Sequence, residues 1–184
     1  MNSITVHKAT PVDASVVANM WNHAAALLAQ NGSDQWQYPV KLHNIYAAID
    51  SRTLWLATDH KGLLVATITV DQHADPALWF PEDHPDDALY LHRMITNQSA
   101  RGNEIGSALI DWASRLAVRN KLKWIRLDAW RSNRALWKYY TDRKFELVRV
   151  VDDPSGSGAC FQRDATIQLG LGPTVREATM PPIV

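Results

Sequence analysis

Apolar and polar residues alternate at the start of the chain, where Ile4, Val6 and Lys8 mark a strand that ends at Pro11. The period then changes. Pro11-Val12-Asp13 opens a helix in which Val16, Val17, Met20, Trp21, Ala24, Leu27 and Leu28 recur every three or four positions, and Asn31-Gly32 terminates it. Residues 33–39, with Trp36 and Tyr38 among polar neighbours, read as an ordered loop. A shorter helix at 41–50 carries Leu42, Ile45, Tyr46 and Ile49 on one side. Two apolar strands at 53–58 and 63–70 flank the turn residues Asp59-His60-Lys61-Gly62 and form a hairpin. A loop rich in His, Asp and Pro fills 71–87. Beyond it come a strand at 89–96, a helix at 104–120, a strand at 123–129, a helix at 133–143, a strand at 145–151, a flexible loop at 153–158 and a strand at 160–169. Hairpins followed by a β-α-β crossover imply an α/β fold, a mixed sheet with helices on both faces. No repeat or linker divides the chain, so residues 1–169 are expected to be a single domain. The proline-bearing stretch 170–184 is expected to be a C-terminal tail, an arm or disordered.

Composition narrows the class. The 184 residues are 46% apolar and 21% charged, an ordinary globular balance. With 19 basic and 19 acidic residues, bulk charge argues against nucleic acid or an acidic membrane as partner. No apolar run is long enough for a signal peptide or a membrane helix, and the single Cys160 cannot form an internal disulfide, so a cytoplasmic location is expected. His73 and His84 lie in the 71–87 loop without metal-ligand spacing, and no metal is expected. Of eight tryptophans, Trp36, Trp79 and Trp130 stand outside the regular apolar patterns. With Tyr38 they are candidates to wall a binding pocket.

The chemistry concentrates between residues 91 and 145. The strand Leu91-His92-Arg93-Met94-Ile95-Thr96 runs into Arg101, Gly102, Asn103, Glu104, Ile105, Gly106 and Ser107, a turn that opens the long helix. A helix start offers unpaired backbone N–H groups and the positive end of a dipole; glycines allow close approach, and Arg101 adds charge, a combination suited to a pyrophosphate. The turn is neither a P-loop nor a dinucleotide fingerprint, since the required Gly and Lys spacings are absent. Downstream, Asn133 stands at the N-cap of the next helix, and Tyr140 lies two turns along it.

Residues 91–145 resemble the core of the GCN5-related N-acetyltransferase (GNAT) superfamily. Its acetyl-CoA turn, Arg/Gln-x-x-Gly-x-Gly/Ala, appears as Arg101, Glu104 and Gly106, with Glu104 in place of the middle glycine. The later Asn, Tyr and Phe of the family appear as Asn133, Tyr140 and Phe145, with Lys144 where glycine is usual. Asp34-Gln35-Trp36 and Leu127-Asp128-Ala129-Trp130 are similar to a bacterial branch of small acetyltransferases. The resemblance implies a central mixed, mostly antiparallel sheet flanked by helices, with acetyl-CoA or another acyl-CoA as co-substrate. It implies transfer of the acyl group to a primary amine of a small molecule by direct attack, and it allows a homodimer. The main chain of Met94, Ile95 and Thr96 would pair with the pantetheine arm. The amides from Arg101 to Ser107 would hold the pyrophosphate, the Glu104 side chain pointing outward. Asn133 would reach the pantetheine or the thioester region, and Tyr140 would protonate the departing sulfur.

The base is open between His92, on the strand entering the site, and Asp128, acting through water. The alternatives are a hydrogen-bonded histidine on a sheet face, and a structural carboxylate paired with Arg126, Arg131 or a backbone amide. Two other functions fit the residues: an acyl-CoA-binding sensor without turnover, which Glu104 and Lys144 favour, and an acyltransferase acting on a protein or aminoacyl-tRNA amine.

Overall fold

Twelve regular elements, in a computed structural model describing residues 2–178, build one eight-stranded sheet with helices packed on it. In chain order they are β1 (Ser3–Lys8), α1 (Ala14–Gln30), α2 (Leu42–Asp50), β2 (Leu54–Thr58), β3 (Leu64–Asp71), β4 (Ala88–Thr96), α3 (Ile105–Arg119), β5 (Trp124–Ala129), α4 (Arg134–Asp142), β6 (Glu146–Val150), β7 (Ala159–Asp164) and β8 (Thr174–Glu177). The strand order is β6-β7-β5-β4-β3-β2-β1-β8. Only β4–β5 and β1–β8 run parallel. The first of these needs the crossover that α3 supplies.

Alternation along β2 divides the core between two faces. Leu54 and Leu56 join Val17, Ile45 and Ile49 of α1 and α2. Trp55 points the other way and meets Trp112 of α3 edge-on, with ring centroids 4.9 Å apart. The α3 side chains Leu109, Ile110 and Trp112 are almost fully buried, and each such residue contributes roughly 1.5–3 kcal/mol through burial. Arg163 of β7, with no exposed side-chain surface, donates to Asp111 of α3 at 3.1 Å and to Ser114 at 2.7 Å. The other Asp111 oxygen accepts the amides of Leu169 and Gly170. That carboxylate therefore fixes both α3 and the chain leading to β8.

Two sequence expectations change here. The strand beginning near Cys160 ends at Asp164 rather than at 169. The tail expected from Gly170 instead contributes Thr174–Glu177 to the sheet, paired with β1. Its prolines concealed this strand; Pro173 stands just before it, where the missing N–H costs nothing in the ladder. Residues 179–184 lie outside the described residues.

The feature that matters most for function is a partial separation of β4 from β5. They pair only at Ala88↔Trp124, Leu89↔Ile125 and Tyr90↔Arg126. Past Tyr90, β4 stays with β3 and β5 stays with β7. A bulge in β4, between the pairs Thr69↔His92 and Thr67↔Ile95, helps turn it aside. Its residue Arg93 holds φ 48°, rare for a side chain other than glycine.

Candidate active site

Where the strands part, two cavities meet. The larger, about 560 Å³, runs between α1 and the β4 edge; Met94, Ile95, Thr96, Arg101 and Asn133 line it. Val16, Met20, Ala24, Leu27 and Leu28 of α1 face it as well. The apolar stripe of α1 is thus shared: Val17, Ala18 and Trp21 are buried in the fold, while the remainder walls an open slot. The second cavity, about 380 Å³, is lined by His92, Asp128, Tyr140, Trp36, Tyr38 and Trp130 among others. Gln35, Trp36, Met94 and Leu136 belong to both.

The slot runs along the β4 edge that β5 leaves unpaired past Tyr90, and it includes Arg101, four residues ahead of α3. The first helical bond of α3 runs from the Ala108 amide to the Glu104 carbonyl, which leaves the amides of Ile105, Gly106 and Ser107 ahead of it. Gly102 holds φ 77° with open space where a Cβ would stand. These donors, with Arg101, suit an extended amide-bearing chain ending in a diphosphate.

The turn departs from expectation in three ways. Glu104, though its side chain is 44% exposed, is not free in solvent: its carboxylate accepts the Ser107 hydroxyl and an Arg143 N–H, each at 2.6 Å. These bonds hold its pKa below the usual carboxylate range, the Ser107 hydroxyl contributing most. Gly106 is buried, and a Cβ there would overlap the Tyr139 hydroxyl, so the glycine makes room for a phenol. Of residues 101–107 only Arg101 lines the slot; Asn103 donates to the carbonyls of Ala100 and Arg101, while Ile105 joins the core. Glu104 has φ 53° and Lys144 φ 66°. Both residues that replace a family glycine keep the left-handed backbone a glycine would take.

In the second cavity His92 sits between two carboxylates. Its Nε2 lies 3.4 Å from Asp71 of β3, and its Nδ1 lies 4.0 Å from Asp128 of β5. Burial works to raise the Asp71 pKa, yet the hydrogen bond and charge of His92 hold it below the ordinary value. Asp71 is the diagonal cross-strand neighbour of His92, a relation fixed by register and invisible before the sheet is known. Arg126 turns instead to the Asp83 and His84 carbonyls, Tyr90 and Gln162. Arg131 turns to Asp152 and Asp153. Asp128 lies 4.0 Å from His92 and faces the cavity. The Tyr140 ring packs on Phe145 and Phe161, and burial pushes its phenol pKa well up. Among the described residues, no hydrogen bond engages its hydroxyl.

Three of the four proposed aromatic wall residues line this cavity; Trp79 does not. It is 2% exposed, sits edge-on against Tyr90 and lies under the Arg126 guanidinium, in a core patch with Leu78 and Cys160. The loop that carries it folds inward because Arg149 grips Asp83 with two 2.6 Å bonds. Trp36, with φ 60°, stacks on Trp21 at 4.6 Å. Its loop is latched across the opening: Asp34 accepts from Trp130 and Ser132, and Gln35 accepts from Asn133 at 2.7 Å. Asn133 also caps α4 through the Leu136 amide, so both of its side-chain polar atoms serve the protein. Asp34, Gln35, Asp71 and Tyr139 carry roles the sequence did not assign.

A mixed sheet thus parts beside a helix start, with a histidine, a carboxylate and a buried phenol next to the parting. The chain belongs to the acetyltransferase (GNAT) family, whose model matches residues 20–145. It is 24% identical over 161 residues to the uncharacterized N-acetyltransferase YesJ of Bacillus subtilis (strain 168), covering 85% of this chain and 87% of that one. A GNAT-family acetyltransferase from Listeria monocytogenes 4b F2365 superposes with a TM-score of 0.73 at 24% identity, over 88% of this chain and 94% of that one. The aminoglycoside acetyltransferase AAC(6')-Ib, solved in complex with coenzyme A, gives a TM-score of 0.66 at 17% identity, over 88% and 94% of the two chains. Among the described residues no helix is long and apolar enough to cross a membrane.

Proposed function

We propose that the protein transfers an acetyl group from acetyl-coenzyme A to the primary amine of a small molecule, with both substrates bound at once. The observation that carries this reading is the meeting of the two cavities at Met94 and Leu136. One cavity suits the thioester and the other an amine, so the reactants would be held in line, which can supply the largest share of the acceleration.

The bound thioester supplies the acyl group and a sulfur leaving group. Main-chain donors of Met94, Ile95 and Thr96 on the parted edge of β4 would orient the pantetheine arm and face the developing negative charge on the carbonyl oxygen. The amides at the start of α3, with Arg101 and Gly102, would take the diphosphate. His92, set between Asp71 and Asp128, is the group best placed to receive the amine proton. Tyr140, protonated because burial raises its pKa, would return a proton to the sulfur. Trp36, Tyr38 and Trp130 would close over the body of the acceptor. The coenzyme A in the AAC(6')-Ib complex supports the choice of donor. The buried Cys160, whose thiol pKa burial pushes up to about 12, is compatible with a reducing, cytoplasmic setting.

Release of free thiol from acetyl-CoA, followed across a panel of small primary amines, tests the reading. Amine-dependent release at rates well above buffer is the expected result. Tight acetyl-CoA binding with no release from any amine would leave a non-catalytic binder.

A further inference from the structure

We infer that Arg93 is the specificity-determining residue of the acceptor pocket and that the acceptor is an amine which also carries a carboxylate, an amino-acid-like molecule. This rests on the reading of the second cavity as the acceptor site. In a regular strand successive side chains alternate between faces. Here His92, Arg93 and Met94 all line that cavity, because the β4 bulge and the φ of 48° at Arg93 break the alternation. Arg93 is one of seven non-glycine residues with positive φ among the described residues; in its case that backbone, with the bulge, brings the residue to the lining of the cavity.

Arg93 also lines an adjoining cavity of about 390 Å³, with Trp21, Tyr38, Lys41, Asn44 and Ser155. Among the described residues no Asp or Glu lines that space, and Lys41 adds a second cation. Among the described residues Arg93 makes no hydrogen bond or ion pair. Nearby arginines are committed: Arg126 to carbonyls and Gln162, Arg131 to Asp152, Arg143 to Glu104, Arg149 to Asp83. The reaction end has the opposite character, with Asp71 and Asp128 flanking His92 and Asp75 also in the cavity lining. Trp21 and Tyr38 line both spaces, their rings 6.3 Å apart. The pocket is therefore polarised: acidic where the amine reacts, aromatic in the middle, basic at the far side. A guanidinium left free in such a place matches a planar carboxylate, which it can bind in bidentate fashion. A polycationic acceptor would meet repulsion there.

The test compares phenylalanine and para-aminomethylbenzoate with their carboxamides as acceptors. Thiol release gives kcat/KM, and calorimetry gives binding. We expect the carboxylates to be preferred by about ten- to hundred-fold, with Arg93→Gln bringing the ratio near one and Arg93→Lys retaining part of it. Thermal unfolding of each variant verifies the fold. Equal use of acid and amide by the wild type, or a preference that survives Arg93→Gln, overturns the inference while leaving the acyltransferase reading intact. Arg93-dependent carboxylate binding without any thiol release does the reverse: the carboxylate site stands and catalysis falls.

Discussion

The indole N–H of Trp130 donates to the carboxylate of Asp34 across 2.9 Å, tying the loop after α1 to the turn between β5 and α4. Ser132 adds a second bond to the same oxygen. These two hydrogen bonds, the Ser132 one first, hold the Asp34 pKa below its ordinary value. Together with the Asn133–Gln35 bond and the stacking of Trp36 on Trp21, this pair anchors the loop that carries Trp36 and Tyr38 beside the second cavity.

Replacing Asp34 with alanine should therefore act on the acceptor more than on the donor. KM for the acceptor is expected to rise roughly ten-fold through lost positioning, with a much smaller change for acetyl-CoA. Steady-state kinetics with each substrate varied in turn measure this. An equal effect on both substrates would show that the latch does not serve the acceptor pocket.

Tyr140→Phe removes a hydroxyl that makes no hydrogen bond among the described residues and leaves the packing on Phe145 and Phe161 in place. Turnover should fall by about 10²–10⁴, the usual worth of a positioned acid, while acetyl-CoA binding and the thermal midpoint change little. Because the phenol pKa is raised, the wild-type rate should show no loss attributable to this group up to roughly pH 10. Unchanged turnover in the variant would remove Tyr140 from the proton path.

The ion pair between Asp83 and Arg149 should make stability depend on pH in a definite direction. The pair lowers the Asp83 pKa, chiefly through the Arg149 hydrogen bond. A lowered carboxylate pKa contributes stability that is present above the unfolded value, about 3.9, and lost as pH falls through the folded one. Arg149→Met should cost about 1–3 kcal/mol at neutral pH and progressively less at an acid pH below the unfolded carboxylate value. Urea titrations of both proteins at the two pH values decide it, and a pH-independent difference would mean that packing, rather than charge, is what Arg149 supplies.

Lys144 holds φ 66° just beyond α4. Left-handed backbone costs a non-glycine residue roughly 1–2 kcal/mol, so Lys144→Gly should stabilise the fold by about 1 kcal/mol and raise the melting temperature by about 2–4 °C. Glu104→Gly should gain less, since it also gives up the Arg143 and Ser107 bonds. Calorimetry on both variants separates backbone relief from lost pairing.

Periodicity revealed α1, α3 and the β2–β3 hairpin because each keeps a single period over its length. The parting of β4 from β5 followed from family resemblance and not from any local pattern, since residues 91–96 read as an ordinary strand. What stayed hidden was set by register and by long-range pairing. Asp71 meets His92 only through the antiparallel alignment of β3 with β4. Trp79 stood outside regular patterns because its loop, not a strand, folds into the core. The eighth strand lay in a proline-bearing stretch whose partner is at the other end of the sequence.

That last pairing bears on how the molecule comes to be made. Residues 3–6 align with 174–177, so the left flank of the sheet closes only after nearly everything between them has been synthesised. Loop closure over such a span is slow. During that interval β1 has only β2 on its flank, and on a ribosome the nascent chain presents an unprotected border to its neighbours.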